Sequence, residues 1–326
     1  MTDTKIVTIG YGSEYPFDAV VKQLRARGFE CYEIDMAAPS WRNTLHDASN
    51  LRNHVLLTSQ HPGQDRTQFR NFYGFDADII DLSQAMHLIR PARSYYVPHD
   101  LVTPIHDEET LFLKELSGAL MPDDRFWYLR KFTQVHEIGW IKAVPNSDKI
   151  SLPSGQAVFL PSELGTWIKQ PPESFQSTFS SVLDQRIPFK MPKMPGLEVL
   201  RRLLVSAGCE EIPAELSSTT VIQHYDTVIS MGDSSVMIEG AWMGKRCICV
   251  ADGHVPIAVQ RSAFAPYTNI EIIPPDELAD ALIRASPPHP TSAIQRQLDI
   301  EKLIKILNDK HSFQDFAGQK KNHESI

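Results

Sequence analysis

The stretch that decides the fold, residues 224–252, reads HYDTVISMGDSSVMIEGAWMGKRCICVAD. Two short runs rich in β-branched residues, 227–230 and 247–250, lie on either side of a segment whose apolar residues recur at helical spacing from 236 to 243. Gly244 follows that segment, and glycine commonly ends a helix. The pattern therefore predicts a strand, a loop, a helix and a second strand, the repeating unit of an α/β sheet.

The loop of this unit contains four small or acidic residues, Gly232, Asp233, Ser234 and Ser235. It follows the carboxyl end of a strand and begins a helix, where free backbone N–H groups and hydroxyls can hold an anion. Glu239 lies about one helical turn beyond the serines, where its carboxylate could accept a hydrogen bond from a ribose hydroxyl. The loop thus predicts a site for the phosphate of a nucleotide. In the alternative interpretation, Asp233 or Ser234 only caps the helix.

This stretch resembles the donor-binding segment of GT-B glycosyltransferases, through the runs 225–230, 233–235 and 244–246 together with Glu239. It is most similar to the CDP-glycerol glycerophosphotransferase and bacterial sialyltransferase branches, in which a paired serine holds the donor phosphate. The resemblance extends over about half of the chain at the level of motifs. It implies an α/β protein made of two Rossmann-like domains that face each other across a cleft.

Length and composition agree with a two-domain globular protein. The chain has 326 residues, of which 42% are hydrophobic and 22% are charged. The formal net charge of -8 argues against a protein that binds nucleic acid through its overall charge. The sequence has no apolar segment long enough to span a bilayer, and residues 1–5 lead into a predicted strand rather than a signal peptide. We therefore expect a cytoplasmic protein.

The rest of the chain alternates between strand and helix patterns. Strands are predicted at residues 5–9, 29–34, 54–59, 77–82, 95–97, 135–140, 157–160, 187–190 and 270–273, and helices at 17–27, 112–119, 173–184, 197–207, 275–285 and 291–309. The opening strand–helix–strand unit implies a parallel sheet with right-handed crossovers. We expect an acceptor-side domain over residues 1–145, a nucleotide-donor domain over 155–310 and a polar tail over 311–326. The resemblance implies that the terminal helix crosses back to the first domain.

The first half contributes a histidine to the predicted site. In the families that the chain resembles, a strand at this point ends in a Pro-His motif, and the histidine faces the cleft as the candidate base. His99 occupies the matching position, and Asp100 stands where such families usually carry glycine. Transfer to a hydroxyl requires a group with a pKa near neutrality to take the proton, and histidine has such a pKa unaided. We predict His99 and Asp100 as the catalytic pair, with a loop histidine bonded to backbone groups as the alternative.

The second half contributes three further predicted donor contacts. By the resemblance, the loop that contains Ser162 lies under the donor nucleoside. Relatives usually read Lys-Pro-His-Pro at the next strand, where Lys190 matches the lysine but no histidine follows. Lys193 is a second cation that could face the donor phosphates. The lysines keep a positive charge that can stabilise the leaving group, but without the histidine of the Lys-Pro-His-Pro pattern no proton can be transferred at this position. This difference from the pattern puts catalytic competence in question.

Together these features predict a metal-independent transferase. It would move a sugar or polyol-phosphate group from a nucleotide sugar or CDP-alcohol to a hydroxyl of a glycan, a lipid-linked intermediate or another acceptor. We expect no cofactor beyond the donor as co-substrate, and no metal, because no loop carries a convincing DxD-type carboxylate pair. A nucleotide-sugar 2-epimerase of the same fold is the nearest rival, but residues 10–14 lack its Gly-Thr-Arg-Pro-Glu-like loop. The other rival is a catalytically silent nucleotide-sugar-binding protein.

Overall fold

The computed structural model describes residues 4–11, 15–60, 78–101, 111–143, 151–162, 167, 169–192, 196–284 and 297–309. The first half of the chain forms a parallel sheet of strands β1 (Lys5–Gly10), β2 (Glu30–Asp35), β3 (His54–Thr58), β4 (Arg93–Tyr96), β5 (Gly118–Met121) and β6 (Val135–Glu137). Their order in the sheet is β2-β1-β3-β4-β5-β6. Because every pair is parallel, the loops that follow the strands lie along one edge of the sheet.

The first half also contains helices α1 (Asp18–Ala26), α2 (Trp41–Ser49) and α3 (Leu82–Ile89), and two 3₁₀ segments, Phe112–Glu115 and Asp124–Lys131. Two predictions in this half are wrong. Residues 78–81 of the predicted strand 77–82 form no strand, because the Asp81 side chain accepts a hydrogen bond from the Ser83 amide (2.8 Å) and starts helix α3. The helix predicted over 112–119 ends at Glu115, and the apolar run after it forms β5, a central strand buried along its length.

The second half forms a parallel sheet of strands β7 (Ala157–Phe159), β8 (Thr227–Met231), β9 (Arg246–Val250) and β10 (Ile270–Ile273), in the order β10-β9-β8-β7. Phe189 extends the ladder by single bridges, so the predicted strand at 187–190 is reduced to one paired residue. The helices are α4 (Pro172–Thr178), α5 (Ser180–Asp184), α6 (Glu198–Ser206), α7 (Ser218–His224), α8 (Ser235–Trp242), α9 (Ile257–Phe264), α10 (Leu278–Ile283) and α11 (Ile300–Asn308).

The stretch that opened the sequence analysis folds as its pattern predicts. Strand β8, helix α8 and strand β9 follow one another, and β8 and β9 pair in parallel. Gly244 ends the helix with a positive φ of 67°, a conformation in which a side chain would be strained. Residues 232–234 therefore lie at the carboxyl edge of the second sheet, directly before helix α8, and Ser235 is the first residue of that helix.

The two halves share one apolar core. A single cluster of buried side chains contains Ile138 and Trp140 from the first half and Ile238 and Ala241 from helix α8. Two further clusters cover the other faces of the two sheets. Among the described residues, none of the helices is both long enough and apolar enough to cross a membrane.

Helix α11 returns to the first half, as the resemblance implies. The Arg93 guanidinium donates to the Ile306 carbonyl at 3.0 Å, and it also contacts the carbonyls of Leu307 and Asp309. Arg27 forms an ion pair with Glu301 at 3.3 Å. The notional boundary between the two predicted domains falls at residues 145–155; residues 145–150 of it, and the tail 311–326, lie outside the described residues.

Candidate functional site

The predicted phosphate loop begins helix α8 in the conformation of an N-cap. Ser234 has extended backbone angles, and its hydroxyl accepts a hydrogen bond from the Val236 amide at 3.4 Å. The Gly232 carbonyl accepts a hydrogen bond from the Cys249 thiol at 3.0 Å, which ties the loop to strand β9. Asp233 and Ser234 are both partly buried. The capping interpretation is therefore satisfied by Ser234, while the phosphate role of this loop stays a prediction.

Ser235 joins the loop to the candidate base segment of the first half. Its hydroxyl donates to the Asp100 carboxylate and accepts a hydrogen bond from the Leu101 amide at 2.9 Å. Residues 100 and 235 are separated by 135 positions in the chain, so only folding brings them together. The predicted catalytic segment and the predicted phosphate loop are thus in direct contact. We call the contact region of residues 97–101 and 138–143 with helix α8 the seam.

Glu239 lies in the interior of the seam. The side chain is 2% exposed; Oε1 accepts a hydrogen bond from the Trp140 indole at 2.9 Å and Oε2 accepts one from the Thr219 hydroxyl at 3.3 Å. Burial raises the pKa of this carboxyl, and the nearby charges of Lys142 and Lys190 act in the opposite direction. The ribose role of Glu239 stays a prediction, and a ribose would have to reach a carboxylate that already accepts two hydrogen bonds.

Lys142 is a residue of the seam that the sequence analysis missed. Its ammonium donates to the His99 carbonyl at 2.8 Å and lies 5.4 Å from the centre of the Trp140 ring. The available signal was its position two residues after Trp140, in the segment predicted to end the first domain. That signal was weak, because a lysine after a strand is most often a solvated surface residue.

The other predicted donor contacts occupy the second half. Ser162 follows β7, and its hydroxyl donates to the Met231 carbonyl at the end of β8. Lys190 is buried, with 8% of the residue exposed. Lys193 lies outside the described residues. Ser162, Lys190 and the loop 232–235 therefore belong to one half of the protein, and His99 and Asp100 to the other.

In the part of the chain that the structure describes, no group of three or more histidine, cysteine, aspartate or glutamate side chains is arranged to hold a metal ion. The seam offers hydroxyl donors and backbone N–H groups at a helix start, and Lys190 of the second half adds a positive charge. Such groups stabilise negative charge on phosphate oxygens. The arrangement is therefore chemically suited to an anionic ligand.

No protein-family model and no curated protein sequence matches the chain. Among solved structures, the S. aureus MnaA–UDP co-structure is 13% identical, with 93% of this chain and 95% of that chain covered and a TM-score of 0.55. The chain has the GT-B fold. The UDP-GlcNAc 2-epimerase from Methanocaldococcus jannaschii is 9% identical over 93% of this chain and 98% of that one, with a TM-score of 0.49.

A third structure, that of the glycotransferase of kitacinnamycin, is 13% identical over 94% of this chain and 99% of that one, with a TM-score of 0.46. At 13% identity, the likeness to the MnaA structure shows the fold alone. None of the three proteins is named as a CDP-glycerol glycerophosphotransferase or a sialyltransferase. The finer resemblance to those branches therefore stays a prediction.

Proposed function

We propose that the protein transfers a sugar or polyol-phosphate group from a nucleotide-activated donor to an acceptor hydroxyl, without a metal ion. The observation that carries the proposal is the contact of Ser235 with Asp100 and Leu101, which joins the predicted base segment to the predicted donor loop. Two half-sites that meet at the start of a helix could hold donor and acceptor in reacting geometry.

In the proposed reaction His99 takes the proton of the acceptor hydroxyl, and the acceptor oxygen forms a bond to the transferred carbon or phosphorus. The bond from that atom to the phosphate oxygen of the nucleotide breaks, and the electron pair stays on the phosphate. Ser234, Ser235 and the N–H groups at the start of α8 would hold this phosphate. Lys190, with Lys193, would stabilise its growing negative charge.

Ser162 and Glu239 remain the proposed contacts of the donor nucleoside, and Gly232 and Asp233 complete the proposed phosphate loop. UDP is the first nucleotide to test, because the structural neighbour with a TM-score of 0.55 was solved with UDP. CDP and CMP follow, since the resemblance by motif is to enzymes with cytidine donors. GDP and TDP complete the screen.

The proposal is tested by a thermal-shift screen of these nucleotides. A ligand that binds only the folded protein at about 100 times its Kd adds roughly 2.7 kcal/mol to the free energy of unfolding. We expect one nucleotide to raise the Tm of the wild type, and the Ser234→Ala/Ser235→Ala variant to lose that shift relative to its own baseline. Ser206→Ala, which removes a hydroxyl from the end of helix α6, is the control.

If no nucleotide raises the Tm, the loop is only a helix cap and the transferase proposal is abandoned. If a nucleotide binds, the products formed from its sugar conjugate separate the rivals. A transferase slowly hydrolyses the donor in the absence of acceptor, a 2-epimerase changes the configuration of the sugar, and a binding protein does neither. Turnover that vanishes with a chelator and returns with manganese would contradict the metal-independent reaction.

A further inference from the structure

Lys142 connects the candidate base to the interior of the seam. Its ammonium donates to the main-chain carbonyl of His99 at 2.8 Å, and the side chain is partly buried. A hydrogen bond from a charged donor is roughly twice as strong as a neutral one. Because the acceptor is the backbone of His99 itself, loss of this bond would alter the direction in which the imidazole points.

The Trp140 ring lies beneath the ammonium of Lys142. The indole is 1% exposed, and the ammonium lies 5.4 Å from the centre of its ring, within the range of a cation–π interaction. The indole N–H is fixed in turn by its hydrogen bond to Glu239 Oε1 at 2.9 Å. A rigid aromatic ring with both its face and its N–H engaged leaves Lys142 little freedom.

Glu239 completes the chain of contacts from the other half of the protein. It is buried, and burial raises the pKa of its carboxyl; of the influences that lower this pKa, the charge of Lys142 is the largest. The hydrogen bonds from Trp140 and Thr219 and the charge of Lys190 act in the same direction. A buried carboxylate requires such compensation, so the charge of Lys142 favours the charged form of Glu239.

We propose that Lys142 is a positioning residue for His99, and that Glu239 acts on it, through Trp140 and across the seam, from donor helix α8. The contacts run without a break from the His99 carbonyl to Lys142, to the Trp140 ring and to the Glu239 carboxylate. The inference rests on the proposed function, in which His99 is the base. It makes Lys142 a positioning residue, and it gives Glu239 a second role, besides the predicted ribose contact, in holding Lys142 in place.

The role of Lys142 is tested by Lys142→Met and Lys142→Arg. Lys142→Met keeps an apolar stem but loses the charge and the donor, and we expect donor hydrolysis to slow about 10- to 100-fold because the base is misplaced. The Kd of the nucleotide should change by less than about twofold, because the variant loses an interaction needed only for turnover. Lys142→Arg keeps a cation that can donate to the carbonyl and stack on the ring, so it should restore most of the turnover.

Lys114→Met is the matched control. The Lys114 ammonium also lies over an aromatic ring, 5.8 Å from the centre of the Phe132 ring, in the 3₁₀ segment Phe112–Glu115 outside the seam. The variant removes the same charge and the same kind of cation–π contact. We expect unchanged turnover for this variant, so a slow Lys142→Met cannot be ascribed to the loss of any lysine.

Glu239→Gln separates the positioning role from the ribose role. A residue that acts through Trp140 and Lys142 lowers turnover and leaves the Kd of the nucleotide nearly unchanged. A residue that binds the ribose raises that Kd, while the Kd of inorganic pyrophosphate, which has no ribose, stays the same. The second pattern in Glu239→Gln would overturn the part of the inference that concerns Glu239.

A readout that needs no activity distinguishes failure of this inference from failure of the proposed function. In protein with isotope-labelled histidines, the imidazole signals of His99 are identified by their loss in His99→Gln. We expect them to move in Lys142→Met and to stay near their wild-type positions in Lys142→Arg and Lys114→Met. Unmoved His99 signals in Lys142→Met overturn the inference, whether or not a nucleotide binds. Moved signals in a protein that binds no nucleotide sustain the positioning of His99 and reject the transferase.

Discussion

At the scale of single residues, Asp100 is the side chain that places a negative charge beside the predicted phosphate loop. It accepts a hydrogen bond from the hydroxyl of Ser235, a group that we expect to donate to a phosphate. The two anions would therefore compete for one donor. By the resemblance, related proteins usually carry glycine here, so this competition is a property of the present chain.

Neutralising Asp100 should consequently strengthen the binding of a nucleoside diphosphate. For Asp100→Asn we expect a gain of about 1 kcal/mol, or roughly fivefold in Kd, from the lost repulsion near the protein surface. Titration calorimetry with UDP, or with the diphosphate found in the screen, measures it. Uridine lacks phosphate and should bind wild type and variant equally, and Asp184→Asn controls for net charge. Weaker binding of the diphosphate to Asp100→Asn would show that Asp100 supports the ligand instead.

Residues of this kind also mark how far the sequence could predict the site. Asp100 and Ser235 were predicted because each belongs to a local motif at the end of a strand, and the structure brings them together. Lys142 was missed because its acceptor, the His99 carbonyl, lies 43 positions earlier in the chain. The burial of Glu239 was missed because Trp140, which bonds to it, is 99 positions away. Contacts between distant segments leave no periodic signal in a single sequence.

At the scale of elements, the segment before helix α11 packs against the backbone that follows β6. The Asp299 amide donates to the Ile138 carbonyl at 2.7 Å, and the Leu298 amide donates to the Ala143 carbonyl at 3.1 Å. Gly139 lies between these two bonds with a φ of +81°, and a Cβ there would come within 2.0 Å of the Gln297 carbonyl oxygen. Only glycine permits this approach of two backbones.

We therefore expect Gly139→Ala to destabilise the protein far more than another glycine in the same conformation. A left-handed alanine costs about 1–2 kcal/mol by itself. Gly28→Ala should show only that cost, because φ is +86° but no atom lies within 4 Å of the added Cβ. Gly139→Ala must also displace the chain at Gln297, which adds about 1–3 kcal/mol more. Urea unfolding of both variants measures the difference. Equal decreases in the free energy of unfolding would show that the chain at Gln297 moves aside without destabilising the protein.

Helices and strands could be predicted where the spacing of apolar residues and the residues that end an element, such as glycine, indicate the same boundaries. The unit β8–α8–β9 shows β-branched runs, a helical apolar pattern and Gly244, and it folds as predicted. The predictions were wrong where a short apolar run is compatible with either a helix or a strand, as in the segments around Leu82 and Leu120. In the first of these, the local side-chain cap from Asp81 selected a helix. In the second, pairing of β5 with strands on both sides selected a strand.

At the scale of the whole molecule, the two-sheet α/β architecture could be predicted, whereas the order of the strands could not. Alternating strand and helix patterns fix the number of layers and the parallel sense of the sheets. Which strands become neighbours depends on the fit of the helices between sheets and on the return of helix α11. That return is held by Arg93 through three backbone carbonyls, a contact that spans 213–216 positions of the chain.

The stability of the whole molecule should also depend on pH through its buried histidines. His54 is fully buried, and neither of its ring nitrogens has a hydrogen-bond partner among the described residues. Burial lowers the pKa of His54 and, with the charge of Lys302, that of His136 below the ordinary value of 6.5. The unfolded chain therefore binds protons at a higher pH than the folded protein. Stability from these groups is complete above pH 6.5 and is lost as the pH falls toward their folded values.

We expect the free energy of unfolding to fall between pH 7.5 and 5 by up to about 1.4 kcal/mol per pH unit for each such histidine. Glu239 acts in the opposite sense, because burial raises the pKa of its carboxyl and favours the folded protein at acid pH. The comparison is therefore between wild type and His54→Leu, which share Glu239 and His136. His54→Leu cannot bind a proton at this site, so its urea midpoint should fall less steeply as the pH is lowered. His87→Asn, which removes an exposed histidine and leaves the core intact, is the control. Identical slopes for wild type and His54→Leu would mean that His54 binds its proton as readily in the folded protein as in the unfolded chain.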